Sequence, residues 1–221
     1  MSRVYVLVEG HTEEAFFREL LVPHYARSGC YLQPIIVSTS PRYKGGVVSY
    51  GKVRPQIIQL CRQDATAYVS TMFDLYALPK DFPGKGLPTY PHNATGHLKA
   101  LFLEAQLALD IAQPNFLANL VVHEYEALLF TQPNSFSQWS DDTTLVSTLQ
   151  QALTQAGAPE DINDSLQTAP SKRIFAAMPS YQKTFHGPLI ACDIGLNAMR
   201  QACPHFHAWL LAIEKLTLNQ S

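Results

Sequence analysis

The chain has 221 residues, of which 47% are hydrophobic and 15% charged, with a formal net charge of −2. That length and apolar fraction can bury a full core, and the composition excludes a disordered or halophilic chain. The net charge leaves no global footprint of nucleic-acid binding. No apolar run reaches the roughly 18 residues that span a bilayer, and no secretory leader is visible, so a soluble, cytoplasmic protein is expected.

Residues 3–8, Arg-Val-Tyr-Val-Leu-Val, are short, apolar and β-branched, as in a strand buried on both faces of a parallel sheet. Gly10 breaks the run. Thr12 is a helix N-cap candidate, Glu13 and Glu14 suit the positive end of a helix dipole, and Phe16, Phe17, Leu20 and Leu21 form an apolar stripe that Gly29 ends. A second strand is expected over 31–38, with Pro34 marking an edge or bulge. Residues 39–51 form a basic Ser/Pro/Gly loop before a short helix near 53–63. A third strand over 65–73 ends at Asp74. Residues 77–96 are a long Pro/Gly segment, a helix fits 96–112, and a fourth strand over 116–122 ends at His123. The remainder is mostly helical. This pattern predicts a parallel or mixed α/β sheet flanked by helices, with a core over 1–135 and a helical C-terminal extension over 136–221 packed on it. The four cysteines, Cys30, Cys61, Cys192 and Cys203, form no Cys-x-x-Cys pair and read as reduced, mostly buried thiols.

Ligands of such sheets bind beyond the carboxyl ends of the strands. Glu9, Asp74 and the His123-Glu124-Tyr125-Glu126 segment each fall at a predicted strand end. Carboxylates so placed can hold a hard divalent cation or act as general bases. Glu124 and Glu126 cannot share one side of a regular helix, so one of the two is expected to serve the site and the other solvent. His-Glu-x-x-His, the P-loop and the serine-nucleophile elbow are all absent. Cys203-Pro204-His205 reads as a helix start. Charge is unevenly spread. Residues 42–99 carry eight Lys/Arg against three acids, and residues 100–171 carry nine acids and no Lys or Arg. The basic stretch suggests an anionic ligand near Arg42, Lys44, Lys52 and Arg54, and the acidic one a docking face.

Glu9 at the end of the first strand and Asp74 at the end of a later one resemble the Toprim superfamily, in which such a Glu and an Asp-x-Asp bind Mg²⁺. Four blocks are also similar to the bacterial family catalogued as domain of unknown function 4276, generally regarded as Toprim-like. They are Val8-Glu9-Gly10-x-Thr12-Glu13, Asp74-x-Tyr76-x-Leu78-Pro79, His123-Glu124-x-Glu126-Ala127-Leu128-Leu129-Phe130, and Pro170-Ser171-Lys172-Arg173 with Tyr181-x-Lys183. Tyr76 replaces the second Asp of Asp-x-Asp, which argues against a topoisomerase or primase role. Asp81, Glu124 or Glu126 are candidates to replace that carboxylate.

The resemblance implies a Toprim-like sheet and an Mg²⁺- or Mn²⁺-dependent nuclease, in settings suggestive of defence beside an ATPase partner. Glu9, Asp74 and Glu126 would hold metal, with Glu13 and Glu124 supporting. Lys183 and Arg173 would contact phosphate, and Arg42, Lys44, Lys52 and Arg54 the nucleic-acid backbone. Two rival expectations are a non-catalytic subunit that regulates an ATPase and a small-molecule phosphohydrolase. DNA versus RNA and the oligomeric state are left open.

Overall fold

The computed structural model describes residues 2–40, 43–44, 49–76, 78–162 and 167–218; for 39–40, 43–44 and 217–218 the backbone alone is described. Arg42 and the Lys44 side chain therefore lie outside the described residues. The fold is α/β: a parallel sheet flanked by helices, followed by a helical C-terminal part.

Strand β1 (Ser2–Val8) leads into α1 (His11–Phe16), which passes through a π-helical turn, Phe17–Leu21, into α2 (Val22–Ala26). The helix begins two residues earlier than Thr12 as N-cap would have set it. Gly10 is its N-cap, and the Glu13 carboxylate folds back to accept the Gly10 N–H at 2.8 Å. Gly29, at φ 75°, turns the chain into edge strand β2 (Cys30–Ile36), whose Pro34 costs nothing at an edge. A small hairpin, β3 (Ser38–Ser40) with β4 (Tyr43–Lys44), precedes α3 (Tyr50–Gln63). Strand β5 (Tyr68–Asp74) follows, then α4 (Gly96–Ile111).

The expected fourth strand is two short pieces, β6 (Phe116–Leu117) and β7 (Leu120–Val121), both parallel to β5. Side chains fill the break: Ser70 Oγ donates to Leu117 O, and Asn119 Nδ2 to Thr71 O. The sheet order is β2-β1-β5-β6, with β7 also on β5. The chain leaves β1 towards β2 and returns on its other side as β5, so the order reverses at β1. The crevice beyond the carboxyl ends of β1 and β5 is the switch point where such sheets take ligands.

The sheet separates two cores. Val4, Val6 and Val8 face one that includes α1, Tyr125 and residues up to Ile213, while Leu7, Val69 and Phe73 face one made with α3 and α4. The first core runs through α5 (Leu145–Ala156), α6 (Pro170–Ala177), α7 (Lys183–Ile194), α8 (Leu196–Ala202) and α9 (Pro204–Leu218). The C-terminal helices are thus laid against β1 and α1, and Trp209 Nε1 of α9 donates to Ser70 of β5 at 3.0 Å. All four cysteines are free, with Cys192 exposed and the others buried. Among the described residues no helix is long and apolar enough to cross a membrane.

Candidate metal centre

Asp74 stands at the centre of the crevice. Its backbone N–H donates to Glu9 Oε1 at 2.7 Å, and its Oδ1 accepts the Tyr125 N–H at 3.0 Å. One residue thereby joins the ends of β1 and β5 to the start of the segment after β7. That segment is a 3₁₀ helix, Tyr125–Thr131, and not an α-helix. It enters through His123 at φ 65°, whose ring lies where a side chain at position 96 would be: a Cβ there would come within 2.7 Å of it. Only glycine fits so close an approach at the head of α4.

The expectation that one of Glu124 and Glu126 faces solvent is corrected. Both are buried, at 7% and 1% exposure. Glu124 is the helix N-cap in extended backbone, so helical phase does not separate it from Glu126. Glu124 Oε2 accepts the Ser171 N–H at 2.9 Å, at the head of α6, where the exposed amides and helix dipole favour an anion. Glu126 meets Lys183 Nζ of α7 at 2.9 Å.

The electrostatics follow from this crowding. Burial raises the Asp74 carboxyl well above the usual range, and Glu9, Glu13, Glu126 and Glu124 raise it further. Burial also raises Glu13 and Glu126, with Lys183 pulling both back. Burial alone would lower Lys183, but Glu126, Glu124 and Asp74 outweigh it and hold the ammonium charged. Five carboxyls thus confront one lysine among the described residues. Two phenols add to the strain. Tyr125 Oη and Tyr181 Oη are buried with no hydrogen-bond partner among the described residues, and both feel the charges of Glu126 and Glu13. Nothing in the sequence singled out Tyr125 for this position; Tyr181 was visible only as part of a motif.

Among the described residues no three His, Cys, Asp or Glu side chains are already gathered around one point as ligands. Each of Glu9, Glu13, Asp74 and Glu124 has one oxygen fixed by a backbone N–H. The donor set is nevertheless all oxygen, the choice of Mg²⁺ or Mn²⁺ over zinc, and its negative charge exceeds what Lys183 offsets. The residues fit such an ion once the second oxygens of Glu9 and Asp74 turn towards it.

Other candidates lie elsewhere. Asp81 is taken up as the cap of α3, accepting from Ser49 Oγ and from the Tyr50 and Gly51 N–H groups, contacts that hold it below the usual carboxylate range. Arg54 is engaged by Asp110 at 2.6 Å, Arg173 donates to Thr168 O, and Lys52 is exposed on α3. Among the described residues of the base-free stretch, Asp141, Asp142 and Asp161 are exposed and other acids are drawn into contacts. Glu104, Glu124, Glu126 and Glu160 all turn inward, and Asp110 is held by Arg54 and Tyr50.

A model of the family described as a domain of unknown function (DUF4276) matches residues 8–214. No curated protein matches the chain. Among solved structures, the C-terminal region of the Xanthomonas campestris pv. campestris OLD protein, phased with mercury, is similar at 14% identity and a TM-score of 0.44, over 100% of this chain and 99% of that one. The same region phased with iodine gives 16% identity and a TM-score of 0.38, over 100% and 98%.

Proposed function

The chain belongs to the DUF4276 family, and from its acidic centre we propose that it is a Toprim-like, Mg²⁺- or Mn²⁺-dependent nuclease that hydrolyses phosphodiester bonds. The observation that carries this reading is the convergence of Glu9, Glu13, Glu124 and Glu126 on Asp74 at the switch point of the sheet, with Lys183 as the offsetting cation. Glu9, Asp74 and Glu126 would hold the ion, with Glu13 and Glu124 in support. A bound ion would supply Lewis acidity and positive charge at the scissile phosphate.

The chain's own groups do the rest. Lys183 keeps its charge and is 38% exposed in its side chain, so it can lean from Glu126 towards a phosphate oxygen. The Ser171 and Tyr125 amides fix Glu124 and Asp74, so that ligand positions survive the repulsion between them. Arg173 and Lys52 are the described cations that would contact the backbone, together with Arg42 and Lys44, whose side chains lie outside the described residues. Tyr76, held by its N–H on His123 O, puts a phenol where the usual second carboxylate would stand. An ATPase partner would meet the exposed acids of residues 100–171, Asp141, Asp142 and Asp161 among them.

The test is cleavage of labelled DNA and RNA with Mn²⁺ or Mg²⁺. Glu9→Gln and Asp74→Asn each lose activity by about a thousandfold or more, as expected for removal of a charged ligand, while Tyr76→Phe loses one hydrogen bond and about five- to tenfold. Cleavage that survives both carboxylate changes contradicts the assignment.

A further inference from the structure

The acidic centre uses Lys183 and explains the burial of Tyr181, but not the rings beside them. A continuous row of aromatic side chains runs from α6 to α7. Phe175 meets Tyr181 edge-on at 5.4 Å between ring centroids, and Tyr181 stacks on His186 at 5.9 Å. His186 touches Phe185 at 5.0 Å and Trp139 at 5.5 Å, and those two rings stand 6.1 Å apart. The middle of the row is buried: Tyr181 is 3% exposed and feels the charges of Glu126, Glu124 and Glu13. The outer rings are open, with Phe185 53% and Phe175 36% exposed.

Single exposed apolar residues are ordinary, but two open rings joined through a buried tyrosine beside a carboxylate centre are not a remnant of the core. The segment that carries most of the row is basic in sequence. From residue 165 to residue 192 the chain carries Lys172, Arg173 and Lys183 and no Asp or Glu. At the far side Asp193 accepts from Trp139 Nε1 at 3.3 Å and steadies that ring. Planar apolar faces spaced among cations are the complement of a polyanion with planar bases. An aliphatic protein surface would need neither the rings nor the charge.

We propose that this row is a base-stacking subsite for single-stranded nucleic acid, which holds unpaired nucleotides on Phe185 and Phe175 while Lys172, Arg173 and Lys183 follow the backbone. It gives the proposed nuclease its substrate class and rests on that reading for its purpose. In a duplex the base faces are stacked on one another and closed to side chains, so the row selects single strands, frayed ends or flaps.

The experiment is fluorescence polarisation in EDTA, where binding is read without cleavage. The probes are labelled oligothymidylate, oligouridylate, an abasic oligodeoxynucleotide and a blunt duplex. The wild type binds at least one of the two base-bearing single strands roughly tenfold or more tighter than the abasic strand or the duplex, and which one it prefers tells DNA from RNA. Phe185→Ala and Phe175→Ala each lose roughly tenfold for that strand and nothing for the duplex, since stacking on a ring is worth that much per base. Phe185→Tyr restores binding and Phe185→Leu does not, which separates stacking from mere apolar contact. Unchanged affinity in both alanine variants, equal affinity for the abasic strand, or no binding to any strand overturns the subsite and leaves the row as cover for a protein partner. A chain that binds as described but never cuts contradicts the nuclease reading alone. A chain that cuts duplex and ignores the phenylalanine changes contradicts the subsite alone.

Discussion

Two groups of buried acids sit at the two ends of β7, and they are handled in opposite ways. At its start, Glu104 Oε1 accepts the Leu120 N–H at 2.7 Å and meets His205 Nε2 at 2.8 Å, while Glu160 accepts the His205 and Phe206 N–H groups at 3.0 Å each. Burial would lower the His205 imidazole, but Glu104 and Glu160 outweigh it and raise it. Each of these acids is matched by a hydrogen-bond donor, and the cluster caps α9 and ties it to α4 and the sheet. Beyond the other end of β7, burial and the charges of Glu9, Glu13, Glu126 and Glu124 push the Asp74 carboxyl up and outweigh the Tyr125 N–H and the Lys183 ammonium that favour its charged form. A buried charge costs several kcal/mol unless it is paired. The balanced cluster is therefore structural, and the unbalanced one is where we propose that a divalent cation binds.

Breaking the balanced cluster gives the larger effect on stability. Glu104→Ala strands the His205 imidazole and the Leu120 N–H, and a cost of about 3–5 kcal/mol in chemical denaturation is expected. The same change leaves metal-dependent cleavage intact in the folded fraction. If Glu104→Ala is neutral, the cluster does not pin α9.

The unbalanced cluster behaves the other way. For an acid whose folded pKa is raised, the folded state holds a proton that the unfolded state has lost between the ordinary and the raised value. Stability then falls as pH rises through that window. Without metal, Asp74→Asn removes this penalty while its amide oxygen still accepts the Tyr125 N–H. A gain of about 1 kcal/mol, or about 2–4 °C in Tm, is expected at neutral pH, together with a flatter rise in stability on acidification. A loss of stability in Asp74→Asn without metal contradicts the imbalance.

His205 gives the smallest and most specific effect. Its pKa is raised on folding, so its contribution is complete below about 6.5 and fades as pH rises through the folded value. His205→Gln should therefore differ most from the wild type near pH 6 and converge with it in alkaline solution. A pH-independent difference would mean that the imidazole acts by shape alone.

The sequence made the strand-end acids legible because a strand's period and its terminal breaker can be read locally. Glu9 before Gly10 and Asp74 after an apolar run needed no tertiary knowledge. The environment of the acids was less accessible. The role of Glu124 depends on the head of α6, 47 positions away, and Asp81 is drawn off by α3. Glu104 and His205, 101 positions apart, carry no local signal of their pairing. The charge asymmetry was informative only in part for the same reason: of nine acids in one stretch, Glu104, Glu124, Glu126 and Glu160 point into the fold, while Asp141, Asp142 and Asp161 are exposed. The break between β6 and β7 was hidden because Ala118 and Asn119 fit an alternating strand pattern, and only the bonds to Thr71 show the interruption.

The central proposal is that the Asp74 cluster binds a divalent cation, and isothermal titration with Mn²⁺ tests it most directly. The wild type should bind with heat release and gain thermal stability from the ion. Glu9→Gln and Asp74→Asn should bind at least tenfold more weakly, and Glu104→Gln should bind as the wild type does. Equal Mn²⁺ affinity in the wild type, Glu9→Gln and Asp74→Asn, or none in any of them, would contradict it.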